Sequence, residues 1–247
     1  KEIDVYFLGP KGTNSELACK KNFGSSVNSF ACKTIPEIFE TISDENSYGI
    51  VPLENSTEGA VNATLDALQN TELNICGELE MPIRHSLLAP QSALENIKTV
   101  YGHQQSLAQC KNKLSNFLPK AKVVPVESSG LALKKASSKR SNACIAHETF
   151  ANANDLKVVK KNIEDQKNNT TRFIILGKSS PLKSGIDKTS IIISLENRPG
   201  ALSKILKIFE FSKINLNYIQ SRPSKIDKWS YSFFLDFEGH ADTLKIK

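Results

Sequence analysis

The chain has 247 residues and a mass of 27.3 kDa, enough for one large domain or a large and a small one at about 150 residues each. Apolar residues make up 39% and charged residues 23%, which excludes disordered and collagen-like classes. The longest apolar runs, such as Phe173-Ile174-Ile175-Leu176, fall far short of the roughly 20 residues of a membrane span, and the net charge of +6 is spread over scattered lysines.

Five cysteines stand at 19, 32, 76, 110 and 144, an odd number with wide spacings and no C-x-x-C. That argues against a disulfide framework or a zinc site and fits a reducing compartment, the cytoplasm. The four histidines are isolated, so a metal centre is not expected. The chain opens on Lys1 without a signal-peptide apolar core and reads as a fragment that another domain could precede.

In chain order, Val5 to Leu8 reads as a strand ending at Gly9-Pro10. Thr13-Asn14-Ser15-Glu16 is a capping box that opens a helix running to about Gly24. Thr34-Ile35-Pro36-Glu37 is a second, with Pro in the first turn, where its missing N–H does no harm. Tyr48 to Leu53 is a strand, and Ala60 to Leu68 a helix with Val61, Leu65 and Leu68 on one face. Further strands are predicted at 75–80, 84–89, 98–102, 122–126, 143–146, 157–162 and 172–177, and helices at 106–117, 130–137 and 147–153. Strands alternating with helices indicate an α/β fold with mostly parallel sheets. Residues 178–185 are rich in Ser, Gly and Pro and read as a linker. A strand at 189–195, a helix at 200–211 with Leu202, Ile205, Leu206 and Phe209 as its buried stripe, and strands at 215–221 and 229–237 follow. This is the first part of a ferredoxin-like βαββαβ unit lacking its last helix and strand.

Four polar clusters sit where strands give way to helices, the place where open α/β sheets bind ligands. Gly9 to Ser15 puts N–H groups and two hydroxyls at a helix N-terminus, either a plain cap or an anion site. Pro52 to Gly59 crowds more polar side chains into one turn than a turn requires; Asn55 and Ser56 are placed to orient a substrate, with Glu54 bracing from behind. Tyr101 to Cys110 places a lone His103 at a strand end, an arrangement more often structural than catalytic. Asn168-Asn169-Thr170-Thr171-Arg172-Phe173 sets amides, hydroxyls and a guanidinium before an apolar strand. Arg172 there either holds a carboxylate of a ligand or buttresses an acid of the protein. Lys134-Lys135 and Lys139-Arg140 lack interleaved aromatics and read as a solvated face, so no nucleic-acid partner is expected.

Taken together, Phe7 to Thr13, Val51 to Gly59 and Asn169 to Phe173, in that order and spacing, resemble prephenate dehydratase. The segments Asn197 to Leu202, Gln220-Ser221-Arg222-Pro223 and Tyr231 to His240 resemble its regulatory ACT domain. The resemblance implies a two-lobed catalytic part like a type 2 periplasmic binding protein, at 1–180, with lobe one at about 1–80 and 164–180 and lobe two at about 81–163; the ACT domain takes 187–247. It implies decarboxylation of prephenate with loss of its ring hydroxyl, giving phenylpyruvate, carbon dioxide and water without a cofactor, and feedback by L-phenylalanine in a homodimer or homotetramer. By the same resemblance Thr171 is the proton donor, with Arg172 and Phe173 beside it in the catalytic motif. Substrate binding falls to Thr13, Ser15, Asn55, Ser56, Gln109, Asn169 and Thr170, and effector binding to Asn197, Gly200, Ala201, Leu202, Gln220, Ser221, Arg222 and Pro223. The alternatives are an arogenate dehydratase and a two-lobed binding protein without chemistry. Three departures bear on these expectations: Gly102 and Gly130 stand where the family has hydroxyls, and Gln220 where it has a glutamate. The first two predict slower turnover and the third weak phenylalanine control.

Overall fold

A computed structural model describes residues 2–224, 230–244 and 246. The first part of the chain forms β1 (Asp4–Leu8), α1 (Asn14–Phe23), β2 (Asn28–Cys32), α2 (Ile35–Thr41), β3 (Ser47–Asn55), β4 (Gly59–Ala60), α3 (Asn62–Leu68) and β5 (Asn74–Pro82). A second group follows: β6 (Ser86–Ala89), β7 (Thr99–His103), α4 (Gln104–Gln109), α5 (Lys111–Phe117), β8 (Lys122–Val126), α6 (Ser129–Ser137), β9 (Asn142–Ala146) and β10 (Lys157–Lys160). Then β11 (Thr170–Gly177) returns to the first group and inserts between β3 and β5, giving the order β2-β1-β3-β11-β5 with β4 on β3. The second sheet has the order β10-β6-β9-β7-β8.

Both sheets are mixed rather than mostly parallel. β11 runs antiparallel to β3 and β5, and β6 antiparallel to β9 and β10, while β1 and β7 keep parallel partners. The physical reason is the pair of crossings between lobes: a single strand that returns without a helix arrives pointing the other way.

α1 covers one face of the first sheet, burying Ala18 and Cys19 against Val5, Phe7, Ile50 and Phe173. α2 and α3 cover the other face with Ile38 and Leu65 against Val51, Leu53, Ile174 and Leu176. Each such fully buried side chain contributes about 1.5–3 kcal/mol. The capping box at Thr34 and Glu37 forms as expected, with both reciprocal hydrogen bonds present. Elsewhere local structure departs from the periodicity. The helix expected at 106–117 breaks at Cys110, whose φ of −114° and ψ of 7° leave the helical region. The helix expected at 147–153 is two short 3₁₀ turns, and β2 lacked a strong apolar run because only Cys32 of its residues is buried.

A third sheet, order β12-β14-β13, is built from β12 (Lys188–Leu195), β13 (Leu216–Pro223) and β14 (Tyr231–Glu238), with α7 (Ala201–Phe211) on one face. Leu206 is 38% exposed and lies outside the stripe that Leu202, Ile205 and Phe209 half-bury. The other face of this sheet packs on the first lobe, where Phe234 joins the core of α2 and α3. No helix among the described residues is long and apolar enough to cross a membrane.

Candidate active site

Between the first two sheets lies a cavity of about 500 Å³. The first lobe contributes Thr13, Ser15, Asn55, Glu58 and, from β11, Thr171 and Phe173; the second contributes His103, Ser106, Gln109 and Ser129. Strand alternation decides which residues of β11 reach it. Thr171 and Phe173 face the cavity, and Arg172 between them faces away.

A directional chain of hydrogen bonds sets the polar wall. Asn55 Oδ1 accepts from the backbone N–H groups of Thr57 and Glu58 at 3.0 and 3.2 Å, which only an oxygen can do. Asn55 Nδ2 must therefore face the cleft, where it donates to Asn169 Oδ1 at 2.7 Å and Thr171 Oγ1 at 2.8 Å. Asn169 Nδ2 then donates to Gln109 Oε1 at 2.9 Å, and His85 Nε2 meets the same oxygen at 2.8 Å. With its oxygen doubly engaged, Gln109 turns Nε2 toward Glu58 Oε1 at 3.2 Å. Each assignment forces the next. The outcome is that Thr171 Oγ1 accepts from Asn55, while its own proton has no acceptor among the described residues. Thr171 is 7% exposed and Asn169 3%, so this hydroxyl sits in a nearly dry wall. Burial lowers the basicity of His85, partly offset by its bond to Gln109 and the field of Glu164, and keeps the ring neutral as a donor.

Several expected site residues are placed elsewhere. Arg172 is the main correction. Its Nε donates to Glu54 Oε1 at 2.8 Å, and its Nη1 to Asp236 Oδ2 at 2.6 Å and Glu78 Oε2 at 3.2 Å, so its partners are acids of the protein and not a ligand in the cleft. Burial works against that charge, and the bonds and fields of Asp236, Glu54 and Glu78 outweigh it. Ser56 does not line the cavity; its Oγ donates to Asn168 O and accepts from Thr170 N, both at 3.0 Å, stapling the turn to the start of β11. Thr170 is held by that staple, also outside the cavity. Thr13 lines the cavity, but its hydroxyl caps α1, accepting from Glu16 N at 3.4 Å and donating to Leu8 O at 3.2 Å. The Gly12 N–H is taken by Glu16 Oε2 at 2.5 Å. Ser15, 7% exposed and facing the cavity, remains at this helix end.

His85 and Glu127 line the cavity and carried no sequence motif. The only available signal for His85 was a polar break, Arg84-His85-Ser86, between two apolar strands where the chain first crosses between lobes. Gly102 and Gly130 have packing reasons. A Cβ on Gly102 would meet Leu107 Cγ and Cδ2 at 3.0 Å, and one on Gly130 would run into the carbonyl oxygen of Lys11.

Residues 5–181 match the family model of prephenate dehydratase. The chain belongs to the prephenate dehydratase family. Residues 189–247 match the ACT domain model. A bifunctional chorismate mutase/prephenate dehydratase of Pseudomonas aeruginosa is 43% identical over 96% of this chain, which spans 66% of that relative's length. The prephenate dehydratase of Methanocaldococcus jannaschii is 39% identical over 98% of the chain and 90% of the relative. The crystal structure of an Arthrobacter aurescens prephenate dehydratase in complex with L-Phe superposes with a TM-score of 0.90 at 32% identity, covering 99% of this chain and 83% of that one.

In this ACT domain the two halves of the expected effector set lie apart. Asn197, Ala201 and Leu202 line a pocket with Leu195, Tyr231 and Phe233, and Gly200, at φ 81°, starts α7 beside it. Gln220, Ser221, Arg222 and Pro223 lie on β13, with β14 between them and β12. Arg222 is taken up by Asp66 of α3, with Nε and Nη2 donating at 2.8 and 2.9 Å.

Proposed function

We infer that the chain carries out the family's carbon–oxygen lyase reaction on prephenate in L-phenylalanine biosynthesis, with Thr171 as the donor to the departing hydroxyl. The bond from the ring to its carboxylate breaks, and carbon dioxide leaves. That electron pair forms a ring double bond as the ring C–O bond breaks on the opposite carbon. The oxygen takes up a proton and leaves as water, and the ring becomes aromatic. The driving force lies in the substrate, so the protein's task is orientation and stabilisation of charge on the leaving oxygen. The observation that carries this reading is the Thr171 hydroxyl, fixed as acceptor toward Asn55 and therefore free to donate into the cleft. One preorganised donor of this kind lowers a barrier by about 3 kcal/mol.

Among the described residues no lysine or arginine lines the cavity. The two substrate carboxylates are assigned to neutral donors: Ser15 at the N-terminus of α1 and Ser129 at that of α6, which enter from opposite lobes. Asn55, Asn169 and Gln109 complete the wall. Glu58 and Glu127 in the same lining favour a second substrate, arogenate, whose ammonium they would meet. Competition between prephenate and arogenate decides the preference.

The decisive test is turnover of prephenate to phenylpyruvate by purified protein. Thr171→Ser is expected to retain it and Thr171→Val to lose about two to three orders of magnitude in kcat with little change in KM. Wild-type rates in Thr171→Val would overturn the assignment, and tight prephenate binding without turnover in the wild type would make the chain a binding protein. L-phenylalanine is the proposed effector, in the pocket of Leu195, Asn197 and Phe233, with weak inhibition because Gln220 is neutral and Arg222 is already paired. Homodimers or tetramers formed at the ACT edge strand β12, read by light scattering, and a reducing cytoplasmic setting with five unpaired cysteines complete the proposal.

A further inference from the structure

The back of β11 is tied to another domain. Asp236 lies on β14 of the ACT sheet with 0% exposure and still carries a charge-bearing side chain. Its Oδ2 accepts from Arg172 Nη1 at 2.6 Å and its Oδ1 from Ser190 Oγ of β12 at 2.6 Å. The Tyr218 ring of β13 stands 5.0 Å from the guanidinium carbon. A carboxylate without exposure costs several kcal/mol unless paired and fully hydrogen-bonded. Within the ACT sheet its partner is the neutral Ser190, and Phe234, two residues earlier on the same face, packs into the lobe-one core. The charge serves Arg172.

Arg172 in turn sits beside a bulge of the neighbouring strand β3. The register of β11 against β3 shifts between Arg172 and Phe173, so Thr171 pairs with Asn55, Arg172 with Glu54, and Phe173 with Pro52. The extra residue is Leu53 of β3, so the ladder is interrupted on that side alone while β11 keeps its register with β5 from Thr170 to Ile175, and the Arg172 side chain ties β11 across the bulge. Arg172 grips β3 through Glu54, β5 through Glu78 and the ACT sheet through Asp236. Its immediate neighbour is Thr171.

We propose that Asp236 is a positioning residue of the dehydratase reaction: through Arg172 it fixes the direction in which Thr171 presents its hydroxyl, making the ACT sheet part of the catalytic framework. The inference rests on the role given to Thr171.

The test is steady-state kinetics on the full chain, well below its melting midpoint, for Asp236→Asn, Ser190→Ala, Lys188→Ala and Thr171→Val. Asp236→Asn is expected to lower kcat about tenfold, with KM within about twofold; Ser190→Ala, which frees one carboxylate oxygen without removing charge, to lower kcat about threefold. Lys188→Ala removes only the outer pair to Glu78 and leaves kcat unchanged. A merely structural Asp236 would lower the melting midpoint in Asp236→Asn and Ser190→Ala and leave kcat at the wild-type value, which would overturn the inference. If Asp236→Asn does not fold, Ser190→Ala decides by the same criterion. Collapse of Thr171→Val beside unaltered Asp236→Asn and Ser190→Ala sinks this inference alone; an unaltered Thr171→Val sinks the earlier reading and this one with it.

Discussion

Gly130 at the start of α6 lies against the backbone of Lys11, so that the second lobe touches the first where a side chain would have no room. Gly12, at φ 88°, closes on the same spot, with Gly130 Cα 3.1 Å from where its Cβ would stand. Gly130→Ala therefore pushes the lobes apart without disturbing the interior of either. We expect kcat/KM for prephenate to fall about tenfold while the melting temperature changes by no more than a few degrees. Kinetics and a thermal melt on the same preparation check both halves.

The orientation of the Asn55 amide is tested by changing one atom. Asn55→Asp keeps the shape and keeps the acceptor for the Thr57 and Glu58 N–H groups, but turns the donor toward Thr171 into an acceptor. The Thr171 hydroxyl then spends its proton on the new carboxylate. The expected loss in kcat is as large as that of Thr171→Val, about two to three orders of magnitude, and combining the two changes adds little further.

Acid sensitivity follows from two histidines. Burial pushes His85 below its ordinary 6.5, with Gln109 and Glu164 opposing; burial also pushes His147 down, with Glu148 opposing and His85 adding to the shift. The unfolded chain takes up these protons at a higher pH than the fold does. Their contribution to stability is therefore complete above about pH 6.5 and is lost as pH falls through the lower folded values. The melting temperature should fall as the pH is taken below about 6.5, and His85→Gln should flatten part of that drop. An identical pH slope in the variant would contradict the role of burial.

Arg222 and Asp66 form a two-point tie between β13 and α3, with side chains 22% and 32% exposed. A double-mutant cycle with Arg222→Ala and Asp66→Ala, read by urea denaturation, should give a coupling of about 1 kcal/mol, toward the upper end for exposed pairs because the geometry is bidentate. A coupling of zero would mean the pair is only a surface contact.

Much of this was legible in the residues. Thr13 and Thr34 named helix starts because capping is a local matter of one side chain and one N–H, although the reciprocal box closes only at Thr34 and the Glu16 carboxylate turns to the Gly12 N–H instead. The clusters around Asn55 and Thr171 were visible as more polarity than their turns needed, and the two residues do meet across the β3–β11 ladder. Pairing at 116 positions' separation is also what hid the rest. That Arg172 looks away from the cleft depends on the pleat of β11, and its buried partner Asp236 is on a strand 64 residues further on. His85 reads as an ordinary crossing residue until Gln109, 24 residues later, folds over it. The Cys110 break arises from backbone geometry that an apolar periodicity of Leu107 and Leu114 passes over.

The place of β11 in its sheet has a consequence for synthesis. The strand is the last of the catalytic part to be made, and it fills a gap between β3 and β5 that were both complete by Pro82. A ribosome that has delivered residues 2–169 has released both walls and the whole second lobe, but an open seam where Thr171 belongs. On the reaction proposed for Thr171, the growing polypeptide stays chemically silent until the same event closes the sheet and brings that hydroxyl to the cleft.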